Sequence, residues 1–298
     1  MTITKRNHYN PCFWTAYWND VYYNNKIKGT ENSQKPREQF VYSLNLISEK
    51  VLTQKVENIF FEKSACIATL RQDEVLSYCE RNFPEKLTSI IEYLKKDPSD
   101  TLIDFENHFT EYENMYKETL ENTIISRRIP DISAKTYLSF FLYIQLIRNH
   151  NTLREAISLY KYFGKAKFEL LLNIKHTMSD PEQLLRNILP FLSSKWTLYK
   201  ANKHIFPLSD NPLLIRPLHI MVALAPDLML EVDLKKTVSD KDVCEHKTGL
   251  MFYKYYEFKK RTIENSSREI IFGNEKLLLS WQKSRIFKNH LTRIKNAR

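Results

Sequence analysis

Four glycines in 298 residues constrain this chain more than any other feature of its sequence. An average composition of about 7% would supply roughly 20. Tight hairpins and left-handed turns draw on glycine, so so poor a supply favours long helices over many short hairpins. The same scarcity excludes the glycine-dependent nucleotide cradles, since neither G-x-G-x-x-G nor G-x-x-x-x-G-K-[ST] occurs.

Hydrophobic residues make up 43% of the chain, with 17 Phe, 17 Tyr and 4 Trp, enough for a sizeable core. The length permits one large domain or two ordinary ones. No repeat, low-complexity tract or boundary divides it, so a single domain over residues 1–298 is expected. Lys and Arg exceed Asp and Glu by 45 to 35, a formal charge of +10. That surplus suits nucleic acid or another acidic partner, and Lys283 to Arg298 carries cations with no acid. Cys12, Cys66, Cys79 and Cys244 form no C-x-x-C pair and no zinc spacing, and Cys244-Glu245-His246 reads as incidental. No metal or cofactor is expected. Met1 to Asn10 is polar and the apolar window Tyr137–Ile147 is too short to span a bilayer, so a reducing cytoplasm and no membrane partner are expected.

Thr4 to Tyr23 is aromatic-rich and irregular. It forms an N-terminal arm (residues 1–25) expected to pack on the body, followed by a polar linker from Lys26 to Pro36. Phe40, Leu44, Ile47, Val51, Leu52, Val56, Ile59 and Phe60 recur at three- and four-residue steps and predict a helix. Further helices are predicted over Gln72–Asn82 and Glu85–Lys96, and from Thr101 to about Ser126 behind an Asp100 cap. Another begins at Asp131 or Ser133 and carries Tyr137, Phe140, Phe141, Ile144 and Ile147, and one begins at Asp180-Pro181. After Pro190 the pattern changes to alternation, predicting three to five short strands between Lys195 and Asp233. Ser239 or Asp240 is expected to cap a helix reaching about Arg261. Glu269–Phe272 is a short apolar piece, and a basic helix is predicted from Glu275 to Asn296, within residues 274–298. The expected fold is α+β: predominantly helical, with a small antiparallel sheet inserted around residues 195–233.

Among chemical motifs, Asp227, Asp233 and Lys235 imitate the PD-(D/E)xK nuclease pattern. Only five residues separate the acids, on what reads as one strand, so the match is read as a decoy. Arg285 and His290 fit an R-x4-H pattern resembling that of HEPN ribonucleases, but a surface basic helix accounts for it better. There is no nucleophile elbow and no His-Glu-x-x-His. Ser209-Asp210-Asn211-Pro212 places an acid and an amide at the rim of a sheet, as a fixed turn or as a site. His8, near Pro11 in the aromatic arm, is either a proton-transfer group or an anchor bonded to a backbone carbonyl. Arg148, ending the most apolar helix, needs a partner if buried. A carboxylate such as Asp210 and a bound phosphate fit that need equally.

Together these pieces resemble the bacterial domain of unknown function family numbered 4238. The resemblance rests on His8-Tyr9-Asn10-Pro11-Cys12-Phe13, on the apolar helix ending Ile144-Gln145-Leu146-Ile147-Arg148, and on Ser209 to Pro212. It also rests on Pro217-Leu218 and on Asn265-Ser266-Ser267-Arg268. The chain departs from the family at His219-Ile220, where a Ser-Pro is usual. The resemblance implies a polar set of His8, Arg148, Asp210, Asn211, Asn265 and Arg268, but no settled activity. The expectation drawn from it is a nucleic-acid-directed enzyme, a nuclease of a bacterial defence or toxin module. In it His8 is acid or base, Asp210 and Asn211 orient His8 or water, and Arg148 and Arg268 hold phosphate. Asn265, Arg285, Lys288, Arg293 and Lys295 add nucleic-acid contacts. The alternative is a non-enzymatic interaction or regulatory subunit with a protein partner, in which the same residues are structural. Burial discriminates: a set satisfied internally favours the scaffold, one lining an open cleft the enzyme.

Overall fold

The structure, a computed structural model, describes residues 6–30, 34–63, 67–96, 101–104, 106–148, 174, 177, 180–238 and 243–296. The N-terminal segment is more regular than the expected irregular arm. Strand β1 (Arg6–His8) leads into helix α1 (Cys12–Thr15), a 3-10 turn (Ala16–Trp18) and helix α2 (Asp20–Lys28). Asn19 caps α2 by accepting from Tyr22 N at 2.8 Å, and Gly29 ends it in the left-handed conformation (φ 69°). The helix therefore extends into the stretch read as linker.

The residues read as a helix between Phe40 and Phe60 are strands β2 (Phe40–Asn45) and β3 (Val51–Lys55), a 3-10 turn and β4 (Phe61–Lys63). Phe40, Ile47 and Leu52, three members of the supposed helical stripe, face solvent, while Val41 and Ser43 are buried on the alternate positions. Asn45 sets the turn, its Oδ1 accepting from Ile47 N (3.0 Å) and Ser48 N (2.8 Å). Strand β5 (Ile67–Leu70), α3 (Gln72–Asn82) and α4 (Leu87–Lys96) follow. Thr101–Asp104 is strand β6 rather than the first turn of a helix. It pairs with β5, and α5 starts at Glu106 and runs to Ser126. The proposed cap Asp100 lies outside the described residues. Helix α6 (Ile132–Arg148) begins as expected, with Asp131 Oδ1 accepting from Ala134 N at 2.8 Å, and it is buried on most of its faces. Asp180 likewise caps α7 (Pro181–Leu192).

The expectation of one small inserted sheet is overturned. Strands β7 (Ser194–Lys200), β9 (Leu214–Arg216), β10 (His219–Ala225), β11 (Leu228–Thr237) and β12 (Glu245–Thr248) form a five-stranded sheet ordered β12-β7-β11-β10-β9, with only β12 parallel to its neighbour. The short β8 (Leu208–Ser209) leaves that stretch to join β13 (Glu269–Phe272), β2 and β3 in a second, four-stranded antiparallel sheet. Local pattern marked the first sheet but not the second, which joins β2 and β3 near the start of the chain to β8 and β13 far along it. Ser239 and Asp240 lie outside the described residues. The helix expected to follow them is displaced by β12, and α8 spans Phe252–Asn265. The single terminal helix is two, α9 (Glu275–Gln282) and α10 (Arg285–Asn296), broken where Ser284 bonds Trp281 O (2.6 Å) and caps Phe287 N (3.4 Å). Among the described residues no helix is long and apolar enough to cross a membrane.

The aromatic segment joins the two sheets. Trp14 Nε1 donates to Leu224 O in β10 (2.9 Å), and Trp18 Nε1 to Phe206 O just before β8 (2.7 Å). Tyr23 donates to Asp227, which Arg127 also reaches at 3.0 Å, so the first acid of the nuclease-like pattern is bound inside the β10–β11 turn. At the end of β13 the backbone closes on this segment: a Cβ at Gly273 would lie 2.5 Å from Asp20 Oδ1 and 2.7 Å from Trp18 O. Gly273→Ala is therefore expected to destabilise by about 1–3 kcal/mol, read as a fall of several degrees in the thermal midpoint. An unchanged midpoint would refute this account of the contact.

Candidate functional site

The Ser209–Pro212 turn lies where the four-stranded sheet meets the ends of α8 and of the N-terminal segment. Asp210 N extends the β8–β13 ladder by donating to Glu269 O at 3.1 Å. Its buried carboxylate accepts from Ser267 N (3.2 Å to each oxygen), Ser267 Oγ (2.5 Å) and Arg268 N (2.9 Å). Asn211 Nδ2 donates to Asn265 O, the last residue of α8, at 2.7 Å. Asn10 Nδ2 donates to Ser209 O at 2.8 Å. On the far side His290 Nε2 donates to Ser266 O at 2.9 Å, so the histidine of the R-x4-H pattern is buried and committed to a backbone carbonyl. The structure thus brings Asp210, Asn211, Asn265 and Arg268 together as two interlocked turns.

Beside this knot opens a cleft of about 520 Å³, walled by Tyr9, Phe60 and Phe61, by Asn45 and Ile47, and by Asp210, Arg268 and Glu269. Burial pushes the Asp210 carboxyl up to about 6, against the pull of the Ser267 and Arg268 donors, and the nearby Glu269 charge adds to the rise. Burial raises Glu269 as well, opposed by hydrogen bonds from Gln54, Phe60 N and Asn45. Two raised carboxyls and an exposed guanidinium, Arg268, in one cleft form the kind of group that marks a candidate site. Glu269 and Tyr9 were not singled out in the sequence, because each reads there as an ordinary strand or arm residue.

The rest of the expected set lies apart from that centre. His8 pairs in register with Phe61 of the cleft wall, but its Nδ1 donates to Ile59 O at 3.2 Å, the anchor geometry. Arg148 is buried against Glu113 of α5 and over the Phe109 ring (5.1 Å). Its carboxylate partner is therefore Glu113, not Asp210. Arg285, Lys288 and Arg293 are exposed along α10, and Lys295 pairs with Glu49 at 2.5 Å. Among the described residues no cluster of His, Cys, Asp and Glu is placed to hold a metal ion.

A second polar centre is absent from the sequence reading. Glu231 of β11 is bonded by His219 Nε2 (2.5 Å) and by Lys254 Nζ (2.5 and 2.6 Å). Arg261 Nη1 reaches His219 Nδ1 at 3.2 Å, which makes Nδ1 the acceptor and Nε2 the protonated nitrogen. Burial opposes the Glu231 charge, but hydrogen bonds from His219, Lys254 and Tyr199 outweigh it and hold the carboxyl at about 2. The signal for this centre is tertiary, since its members come from three strands and a helix. No protein-family model, curated protein or solved structure shows significant similarity to this chain.

Asp210→Asn replaces an acceptor oxygen by a donor facing Ser267 and Arg268 N–H, and at neutral pH it is expected to cost about 1–3 kcal/mol. The native carboxyl titrates near 6, above its ordinary value. Its contribution to stability is therefore fullest below the ordinary carboxylate value and is lost as pH rises through about 6. The deficit of the variant against the parent chain should shrink as pH is raised from about 4 to about 7 in urea titrations. A deficit that grows over that window would contradict the assignment.

Proposed function

We propose that this protein binds nucleic acid along α10 and the adjoining cleft, with Arg268 at the cleft as a phosphate contact. The observation that carries the reading is a row of uncompensated cations beside that cleft. Arg285, Lys288 and Arg293 are exposed and have no acidic partner among the described residues. Their helix is moored to the cleft rim from both sides, by His290 on Ser266 O and by Lys295 on Glu49 in the β2–β3 turn. Phe287 and Leu291 bury the opposite face, so the cations project outward. With an overall charge of +10, such a surface attracts a polyanion by releasing its condensed counterions.

Asp210 and Asn211 brace the cleft rim instead of reacting on it, while Arg148 is spent on Glu113 and His8 on Ile59 O. The Asp210 carboxylate is engaged by three donor groups, and its burial without them would be prohibitive. The nucleic-acid partner expected from the sequence is therefore kept, with Arg268 as a contact and a structural role for His8, Arg148, Asp210 and Asn211. Of the two raised carboxyls in the cleft, Asp210 is taken up by Ser267 and Arg268, which leaves Glu269 the better suited to proton transfer. Incubation of the protein with RNA and DNA, with and without divalent metal, tests whether cleavage accompanies binding.

If Arg268, Arg285, Lys288 and Arg293 each contact a phosphate, affinity should fall on the order of a hundredfold between about 50 and 200 mM salt. Lys288→Ala with Arg293→Ala should reduce the logarithmic salt slope by about 2 without moving the thermal midpoint. Fluorescence anisotropy with labelled oligonucleotides measures both. An affinity indifferent to salt and to these substitutions would refute the reading.

A further inference from the structure

One end of α8 presents a surface that neither the cleft nor α10 accounts for. Phe252, Tyr253 and Tyr256 are 81%, 58% and 49% exposed. Lone exposed aromatics are ordinary, but three on adjoining helical positions make a patch. Steps of one, three and four residues place them on one arc, which Lys260 continues a turn later. The opposite arc is fastened to the five-stranded sheet. Phe258, Arg261 and Thr262 are buried there, Lys254 is bonded to Glu231, and Arg261 reaches Leu214 O at 3.5 Å. The platform is therefore rigid, and its rings are held out to solvent by the polar centre beneath.

Cations outnumber acids around the arc, with Lys260, Arg261 and Arg216 facing Glu257 and Glu264. Glu257 is bonded by Arg261 and lies 3.7 Å from Arg216 of β9, so its charge is compensated. Lys260 lies 3.9 Å from Glu264, a loose exposed pair that leaves most of its charge to solvent. Arg216 is 47% exposed at the near edge of the sheet. Aromatic faces flanked by cations fit one class of ligand especially well: unpaired nucleobases that stack on the rings while their phosphates meet the basic groups. A duplex keeps its bases stacked inside and cannot use the rings. Helix α8 also packs against α10, so one strand can follow both elements.

We propose that Phe252, Tyr253 and Tyr256 form a stacking platform for single-stranded nucleic acid. The proposal rests on the nucleic-acid reading above and adds the strandedness of the ligand. The platform supplies base contacts, and α10 with Arg268 supplies backbone contacts common to single and double strands.

The test uses the full chain, an oligothymidylate of about 20 nucleotides and a duplex of matched length. The wild type should prefer the single strand by about tenfold or more. Replacing Phe252, Tyr253 and Tyr256 together by Ser should weaken single-strand binding about 10- to 100-fold and leave duplex binding and the thermal midpoint unchanged. Phe252→Trp should retain the preference. If the triple variant binds the single strand like the wild type while Lys288→Ala with Arg293→Ala weakens it, the platform is wrong and the charged surface stands. Equal losses on both ligands with the fold intact would overturn the platform too. So would wild-type self-association that the triple variant abolishes, since the rings would then meet a second copy of the chain. No wild-type binding to either ligand at low salt would overturn both proposals.

Discussion

Three buried donors of the N-terminal segment find backbone partners on or beside two different sheets. Two indole N–H groups and one amide, from Trp14, Trp18 and Asn10, donate to the backbone at Leu224, Phe206 and Ser209. Leu224 belongs to the five-stranded sheet, and Ser209 to the four-stranded one. A buried donor left unpaired costs on the order of 1–3 kcal/mol, so these bonds restrict where the segment can sit. The large apolar surfaces of the same tryptophans make leaving that position costlier still. Gly273 belongs to this joint: the backbone there approaches Trp18 and Asp20 more closely than a side chain allows.

Asp210 extends the same logic to the turn. A carboxylate this deeply buried is tolerable because backbone and hydroxyl donors converge on it from Ser267 and Arg268. Those donors belong to the link between α8 and β13, so the charge fixes how a helix and a strand meet. Glu231 does the same for the other face of α8 through Lys254 and His219. Two buried acids thus hold one helix, with its exposed aromatic end projecting from the polar centre and its other end beside the cleft. Asp210 and Glu231 are each held by converging donors, and the surfaces beside them expose charge and aromatic rings.

How much of this could be read in advance depended on whether the deciding contact was local. Asp180 before Pro181 and Asp131 before an apolar run cap helices by bonding their own next turns, and both helices begin where those residues stand. The alternation after Pro190 likewise reports strands that pair with near neighbours. Phe40 to Phe60 misled because apolar residues three and four apart fit a helix and also fit strands joined by a turn. The side chains that faced out, Phe40, Ile47 and Leu52, are apolar too, so pattern alone could not tell the faces apart. In the site, the knot of Asp210 with Ser267 was visible as two polar turns and not as one object.

By itself the sequence determined the caps at Asp131 and Asp180, the alternation after Pro190, that the chain is rich in aromatic residues and that it is strongly basic. These follow from contacts within a few residues or from composition alone. Only the tertiary structure decided that Arg148 meets Glu113, that His290 is spent on Ser266 O, and that β8 pairs with β13 instead of its chain neighbours. It also decided which aromatics stay outside: Phe258 is buried, while Phe252, earlier on the same helix, is exposed. Residue type sets the free energy gained on burial, but the packing of distant segments sets which side chains are there to be buried.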